Sequence, residues 1–429
     1  MTARKRKTRS KTTRAARPKA RPKAGRRKSA GAAKASRRAV DTDGGGAAPS
    51  PSGARAVSQY GTGFDDKLEP TVPVDLARVR NVSDLVEMYG GAAIGARQVG
   101  EAADILHTMV RDPECYVVCT VSGAMTVAKM GLVLCEMIET GMVQAVVSTG
   151  ALMAHGFVEA AGLAHFKYDP SMSDEALFAR GYNRVYDSIE LEQNLDDIHA
   201  IVSEVLAEND DVVTWSSVQL NRALGWWLSK RRAGRGILRS AFEHGVPVYV
   251  PAFTDSELGL DVAIHSHRRR ARGLPGLQFD PFLDLDDYTD RIKTQKRLGI
   301  FTIGGGVPRN WAQQVGPYLD LLAKRAGIGD GVARFQYAVR LCPEPTHWGG
   351  LSGCTYSEGV SWGKFLSRAE GGRFAEVYAD ATIVWPLVVQ AVRERLGVAG
   401  TSRVAGGRRG AARHPRAARA PRRPPGAGR

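Results

Sequence analysis

Near the end of the chain, Glu358-Gly-Val-Ser-Trp-Gly-Lys364 sets a lysine two residues after a tryptophan and six after a carboxylate, among small residues. An amine forms a Schiff base only when enough of it is neutral, and an apolar wall such as Trp362 favours the neutral form by desolvating the charge. Lys364 is therefore the candidate nucleophile. Glu358 could pair with a substrate ammonium and Trp362 could stack on one, an attraction of up to about 2 kcal/mol when desolvated. Such an acidic and aromatic pocket suits a polyamine. Taken alone, the spacing fits a surface lysine on a helix beginning near Ser357 at least as well.

Other residues offer cofactor chemistry. Gly304-Gly-Gly306, between an apolar run and a helical pattern, would let backbone N–H groups approach an anion at a positive helix end, as a dinucleotide pyrophosphate requires. The run is not GxGxxG, and a tight turn explains it equally well. Asp255 and Asp380 each follow a strand pattern and could accept ribose hydroxyls or cap the next helix. His155, after Ser148-Thr-Gly150, could exchange a proton near a cofactor or be an ordinary hydrogen-bonded histidine. His265-Ser-His267 runs into Arg268-Arg-Arg-Ala-Arg and reads as a solvated basic segment, so no metal is expected.

These residues need a scaffold that gathers them. Strand patterns at 115–120, 144–150, 246–251, 299–304, 335–340 and 374–379 alternate with helical patterns at 125–139, 189–206, 217–230 and 310–325, and Gly141 could close the first of these helices. Strands that are nearly continuous in Val, Ile and Phe imply a mostly parallel α/β sheet, doubly wound, with helices on both faces. In such folds ligands bind beyond the carboxyl ends of the strands. Four strand ends here are small and polar: Ser122 with Thr126, Ser148-Thr149-Gly150, the stretch holding Asp255, and Gly304-Gly305-Gly306. They are candidate walls of one pocket.

The net charge of +16 is unevenly placed. Residues 1–60 hold 18 Lys/Arg against Asp41 and Asp43, and residues 401–429 hold nine Arg and no acid, which leaves 61–400 at −9. An acidic core favours a cationic small molecule over a phosphate polymer. The expected division is a disordered basic tail (1–58), one catalytic domain (59–399) and a disordered Arg/Pro-rich tail (400–429). The tails are either solvated ends or loose tethers to nucleic acid. Five scattered cysteines read as reduced thiols, and no run approaches the roughly 18 apolar residues of a membrane span, so a cytoplasmic protein is expected.

The order Pro251-Ala-Phe-Thr-Asp-Ser-Glu-Leu-Gly259, Ile303-Gly-Gly-Gly-Val307, Glu358 to Lys364, then Val377-Tyr-Ala-Asp-Ala-Thr382 with Trp385-Pro-Leu387 resembles the deoxyhypusine synthase family, over about 70–396. The resemblance implies a Rossmann-like fold, NAD as cofactor and a homotetramer with sites at subunit interfaces. It implies transfer of an aminobutyl unit from a polyamine such as spermidine to an acceptor amine through an imine on Lys364. Glu358 and Trp362 would lie in the amine pocket, and Ser122, Ser148, Thr149, Asp255, Gly305, Ala379 and Asp380 along NAD.

This chain departs from the family pattern on the amine side. Asn310 stands at or next to the family's histidine after the glycine run, and Leu260 follows Leu258-Gly259 where the family has an aspartate, so that Asp261 arrives one place late. Gly349-Gly-Leu351 replaces a GSD motif, and His155 replaces a glutamate. The expectation is thus an NAD-dependent aminoalkyl transferase whose acceptor is either a protein lysine or a small diamine. The rival is a catalytically silent NAD-binding homologue tethered to nucleic acid by its tails.

Overall fold

The structure, a computed structural model, describes residues 58, 60–329, 331–350 and 354–398. The expected basic tails lie almost wholly outside these residues. The chain divides into two compact units, Met1–Glu69 and Pro70–Arg429. In the first, the described residues form a turn closed by the Leu68 amide on the Gly63 carbonyl at 2.9 Å.

Among the described residues the second unit contains eleven strands. They are β1 (Cys115–Val121), β2 (Ala145–Ser148), β3 (Phe166–Lys167), β4 (Tyr182–Val185), β5 (Ser188–Leu191), β6 (Thr214–Trp215), β7 (Val248–Tyr249), β8 (Gln278–Phe279), β9 (Arg297–Ile303), β10 (Tyr337–Leu341) and β11 (Arg373–Val377). Six form one parallel sheet in the order β11-β10-β9-β1-β2-β7. Both faces are covered, which is why these strands read as unbroken apolar runs. Along β1, Val117, Cys119 and Val121 enter one core while Val118 enters the other. The first core receives helices such as Ile94–Arg111, Gly150–Ala160 and Ala381–Arg395. The second lies under Pro281–Ile292, Gly306–Gln313, Val315–Ala326 and Tyr356–Ser361.

Chain order within this sheet starts at its centre. β1, β2 and β7 run outward to one edge, after which the chain returns to the other side of β1 and adds β9, β10 and β11. This is the dinucleotide-fold order 3-2-1-4-5-6, whose crevice opens where the direction of winding reverses. Here that point is between β1 and β9.

Local structure departs from the sequence expectation in four places. The helix expected from Met125 begins only at Gly131, because residues 122–130 form turns in which Lys129 takes a left-handed φ of 67°. Gly141 follows its end with a φ of 73°. The helix expected from Ile189 begins at Glu192, and Ser188–Leu191 instead pairs antiparallel with β4 and, at its first residues, with β3. The helix expected over 310–325 is two, Gly306–Gln313 and Val315–Ala326, meeting at Gln314. Pro317, in the first turn of the second, has no amide to continue the first. Finally, the strand between Pro247 and Pro251 pairs over only two residues, Val248 and Tyr249.

Candidate functional site

The sheet's register aligns the strand ends. Val377, Leu341, Ile303, Val121 and Ser148 are successive partners across five strands, so the loops that follow leave from one edge. At the β1/β9 crevice Ser122 Oγ accepts from the Gly305 amide at 2.9 Å, and the Ser122 amide donates to Ile303 O at 3.1 Å. Gly304 has a φ of 77°, and a Cβ there would lie 2.5 Å from Ser122 Oγ. Glycine is thus required twice, by conformation and by room. Gly306 opens helix Gly306–Gln313, with a φ of 65°.

The other strand-end residues have definite local tasks. Ser148 is buried and donates to Val121 O at 3.0 Å, and Thr126, also buried, donates to Leu152 O at 2.9 Å. Thr149 caps helix Gly150–Ala160 by accepting from the Leu152 amide at 3.3 Å. A Cβ on Gly150 would lie 2.2 Å from Ser256 Oγ, so this glycine lets the β2 and β7 loops meet. Ser256, not Asp255, caps the next helix, which leaves Asp255 exposed at the end of β7. Asp380 caps helix Ala381–Arg395 through the Thr382 amide at 2.8 Å, next to the partly buried Ala379.

Lys364 is not on a surface helix. Thr355 caps the short helix Tyr356–Ser361, Gly363 takes a left-handed φ of 67°, and the chain then runs extended, with Lys364 O accepting from the Phe335 amide at 2.9 Å. Gly359 is needed because a Cβ would come within 2.6 Å of the buried Phe365 ring. The Lys364 side chain is half-buried, and Nζ donates to Asn310 Oδ1 at 3.1 Å. Burial, assisted by the nearby Arg309 guanidinium, depresses its pKa below the ordinary lysine value against an opposing effect of Cys354. Glu358, Trp362, Asn310 and Lys364 line one cavity of about 340 Å³. Asn310 lies one turn into the helix that begins at Gly306, so this helix links the lysine pocket to the glycine loop.

The remaining amine-side residues lie elsewhere. Gly349, exposed with a φ of 77°, ends a short 3-10 turn, and Leu351 lies outside the described residues. His155 does not line the lysine cavity and contacts Glu190 Oε2 through Nδ1 at 3.1 Å. Leu260 is exposed, while the late aspartate, about 100° further round the helix, is buried. There Asp261 Oδ1 lies 2.6 Å from His199 Nδ1, and burial raises its pKa.

Three buried arginines escaped sequence reading: Arg269, in the helical run expected to be a solvated segment, donates to Pro275 O at 2.9 Å, and two more lie near the lysine cavity. Arg309 and Arg340 both donate to Cys354 O, at 2.7 and 3.0 Å, and Arg309 stacks over the Tyr356 ring. Charged residues inside an apolar strand or helix were the available signal: Arg340 interrupts Tyr337–Leu341, and Arg309 directly follows Pro308. Glu190 is likewise buried, and its contacts with His155, His165 and Asn194 overcome its burial to hold its pKa at about 2.

A family model described as deoxyhypusine synthase matches residues 84–392. "Probable deoxyhypusine synthase 2" of Methanosarcina acetivorans is 34% identical over 327 residues, 76% of this chain and 90% of that protein. "Probable deoxyhypusine synthase 1" of Archaeoglobus fulgidus is 32% identical over 324 residues, 75% and 97% of the two chains. "Deoxyhypusine synthase-like protein" of Chlorobaculum parvum is 32% identical over 326 residues, 75% and 88%. With most of its length matched both by the family model and by these relatives, the chain belongs to the deoxyhypusine synthase family.

Proposed function

We propose that the protein is an NAD-dependent transferase that carries an aminoalkyl group, drawn from a polyamine such as spermidine, as an imine on Lys364. The observation that carries this reading is the Lys364 amine itself, half-buried, depressed in pKa and held by Asn310 in a cavity shared with Glu358 and Trp362. The β1/β9 crevice fits NAD by its own features, since the switch point of the sheet meets glycines that cannot carry a side chain and a helix N-terminus. Ser122, Gly304, Gly305 and Gly306 would approach the pyrophosphate, and the exposed Asp255 would take a ribose hydroxyl. The chemistry NAD supplies when bound is removal of hydride from the donor's amine-bearing carbon and its return to the final imine.

The chain's residues do the rest. Neutral Lys364 Nζ adds to the oxidised carbon of the donor, and the C–N bond to the departing amine breaks as that amine takes a proton. The acceptor amine then adds to the same carbon and expels Lys364, regenerating its free amine. Glu358 holds a substrate ammonium and Trp362, 66% exposed, stacks on it. An indole so open beside the nucleophile suits a site completed by another subunit, as in the homotetramer proposed here. The acceptor is a protein lysine or a small diamine. Five unpaired cysteines suit action in a reducing cytosol, and among the described residues no helix is long and apolar enough to cross a membrane.

The test is product analysis with NAD and a panel of di- and triamines. Wild type is expected to consume at least one donor and release the smaller amine, and Lys364→Ala to release none. NAD binding without consumption of any amine would overturn the transferase and favour the silent binding homologue, a reading that the withdrawal of Asp261 onto His199 keeps in play.

A further inference from the structure

We propose that His155, His165 and Glu190 form a binding site for one divalent transition-metal ion of zinc type, with Glu159 and Asn194 as its outer shell. The three residues come from helix Gly150–Ala160, the turn after it and β5, and their ligand atoms all lie within 4.8 Å of one another. His155 Nδ1 is 3.1 Å from Glu190 Oε2, and His165 Nε2 abuts the same oxygen. Tetrahedral ligands bound at roughly 2.0–2.1 Å stand about 3.3 Å apart, so little movement separates this arrangement from a coordinated one.

Two observations beyond proximity point to an ion. The His165 side chain is fully buried, yet Nε2 has no hydrogen-bond partner, because its contact with Glu190 lacks hydrogen-bond geometry. A buried polar nitrogen that makes no hydrogen bond is rare, and an ion held between it and the Glu190 carboxylate would satisfy both. The opposite ring nitrogen, Nδ1, lies 3.1 Å from both Glu159 Oε1 and Lys129 Nζ, which also pair with each other; an Nδ1–H donated to that outer carboxylate is the tautomer that frees Nε2 for a metal. Asn194 Nδ2 donates to Glu190 Oε1 at 2.6 Å and so leaves Oε2 as the inward-facing ligand.

The donor set selects the ion. Two imidazoles and one carboxylate suit zinc and its neighbours and are poor for magnesium or calcium, which prefer oxygen. His155, 17% exposed, marks the open side through which the ion would enter and a water would complete four-coordination. Sequence spacing hid the site, since ligands 10 and 25 residues apart make no short motif. His265 and His267, which do make one, point about 200° apart on their helix and cannot share an ion. An ion here would pin the small sheet of β3, β4 and β5 to helix Gly150–Ala160. The cluster shares no residue with the Lys364 cavity.

The test uses untagged full-length protein, stripped with a chelator and then titrated with zinc(II) or cobalt(II). About one ion per chain is expected by elemental analysis, with the visible bands of four-coordinate cobalt. Glu190→Gln and His165→Ala are expected to lose both, while His267→Ala keeps them. Should the buried variants fail to fold, His155→Ala serves instead, with at least a tenfold weaker cobalt affinity expected. The proposal is overturned if stripped wild type takes up no ion and gains no thermal stability from zinc, or if His155→Ala and Glu190→Gln bind as wild type does. Either result would assign the cluster to a metal-free ionic network.

Discussion

Lys364 Nζ is held by Asn310 and depressed by burial together with Arg309, and each influence can be removed separately. Lys364→Ala is expected to lower aminoalkyl transfer at least about a thousandfold, because no other group in the cavity can carry the imine. Asn310→Ala should cost about tenfold by releasing the amine from its direction, as loss of a hydrogen bond to a charged group does. The pH profile follows from the sign of the shift. A depressed pKa makes the amine neutral at lower pH, so trapping rates should rise to a midpoint below the ordinary lysine value of about 10.4. Arg309→Gln removes a like charge and should move that midpoint to higher pH; a midpoint that stays put would leave burial as the sole cause. Asn310 was legible only by position in the family pattern, since nothing in its own surroundings shows that it meets a lysine 54 residues away.

At the scale of elements, the glycines decide how loops pass one another. Gly304→Ala would place a Cβ against Ser122 Oγ at a left-handed φ, and is expected to weaken NAD binding about tenfold or more, measured by calorimetry. Gly363→Ala should cost about 1–2 kcal/mol of stability, read as a lower Tm, because the turn into Lys364 needs a φ of 67°. The six core strands were legible because burial on both faces leaves an apolar run that few other structures share. β3, β4 and β5 were not legible, since these short segments carry no clear alternation, β3 being exposed and β5 burying its adjacent Ile189 and Glu190, and Glu190 looks like the start of the helix it precedes. The break at Gln314 had its signal in Pro317, which an uninterrupted periodicity over 310–325 overrode.

For the molecule as a whole, charge and topology separate two tasks. With the core at −9 within a chain at +16, cation handling is proposed for the fold and polyanion attachment for the ends. The full chain is accordingly expected to bind DNA at low salt and a 61–400 fragment to bind it more weakly, and equal binding by both across a salt series would remove the tethering role. The sheet order puts the glycine loop at the switch point and carries Asn310 from there to Lys364 on a single helix. The proposed transfer therefore rests on Lys364. Incubating the full chain with NAD and its best donor amine, reducing with borohydride and mapping peptides by tandem mass spectrometry is the most direct measurement. An aminoalkyl adduct on Lys364 that requires NAD is predicted, and an adduct that maps to another residue, or persists in Lys364→Ala, would contradict it.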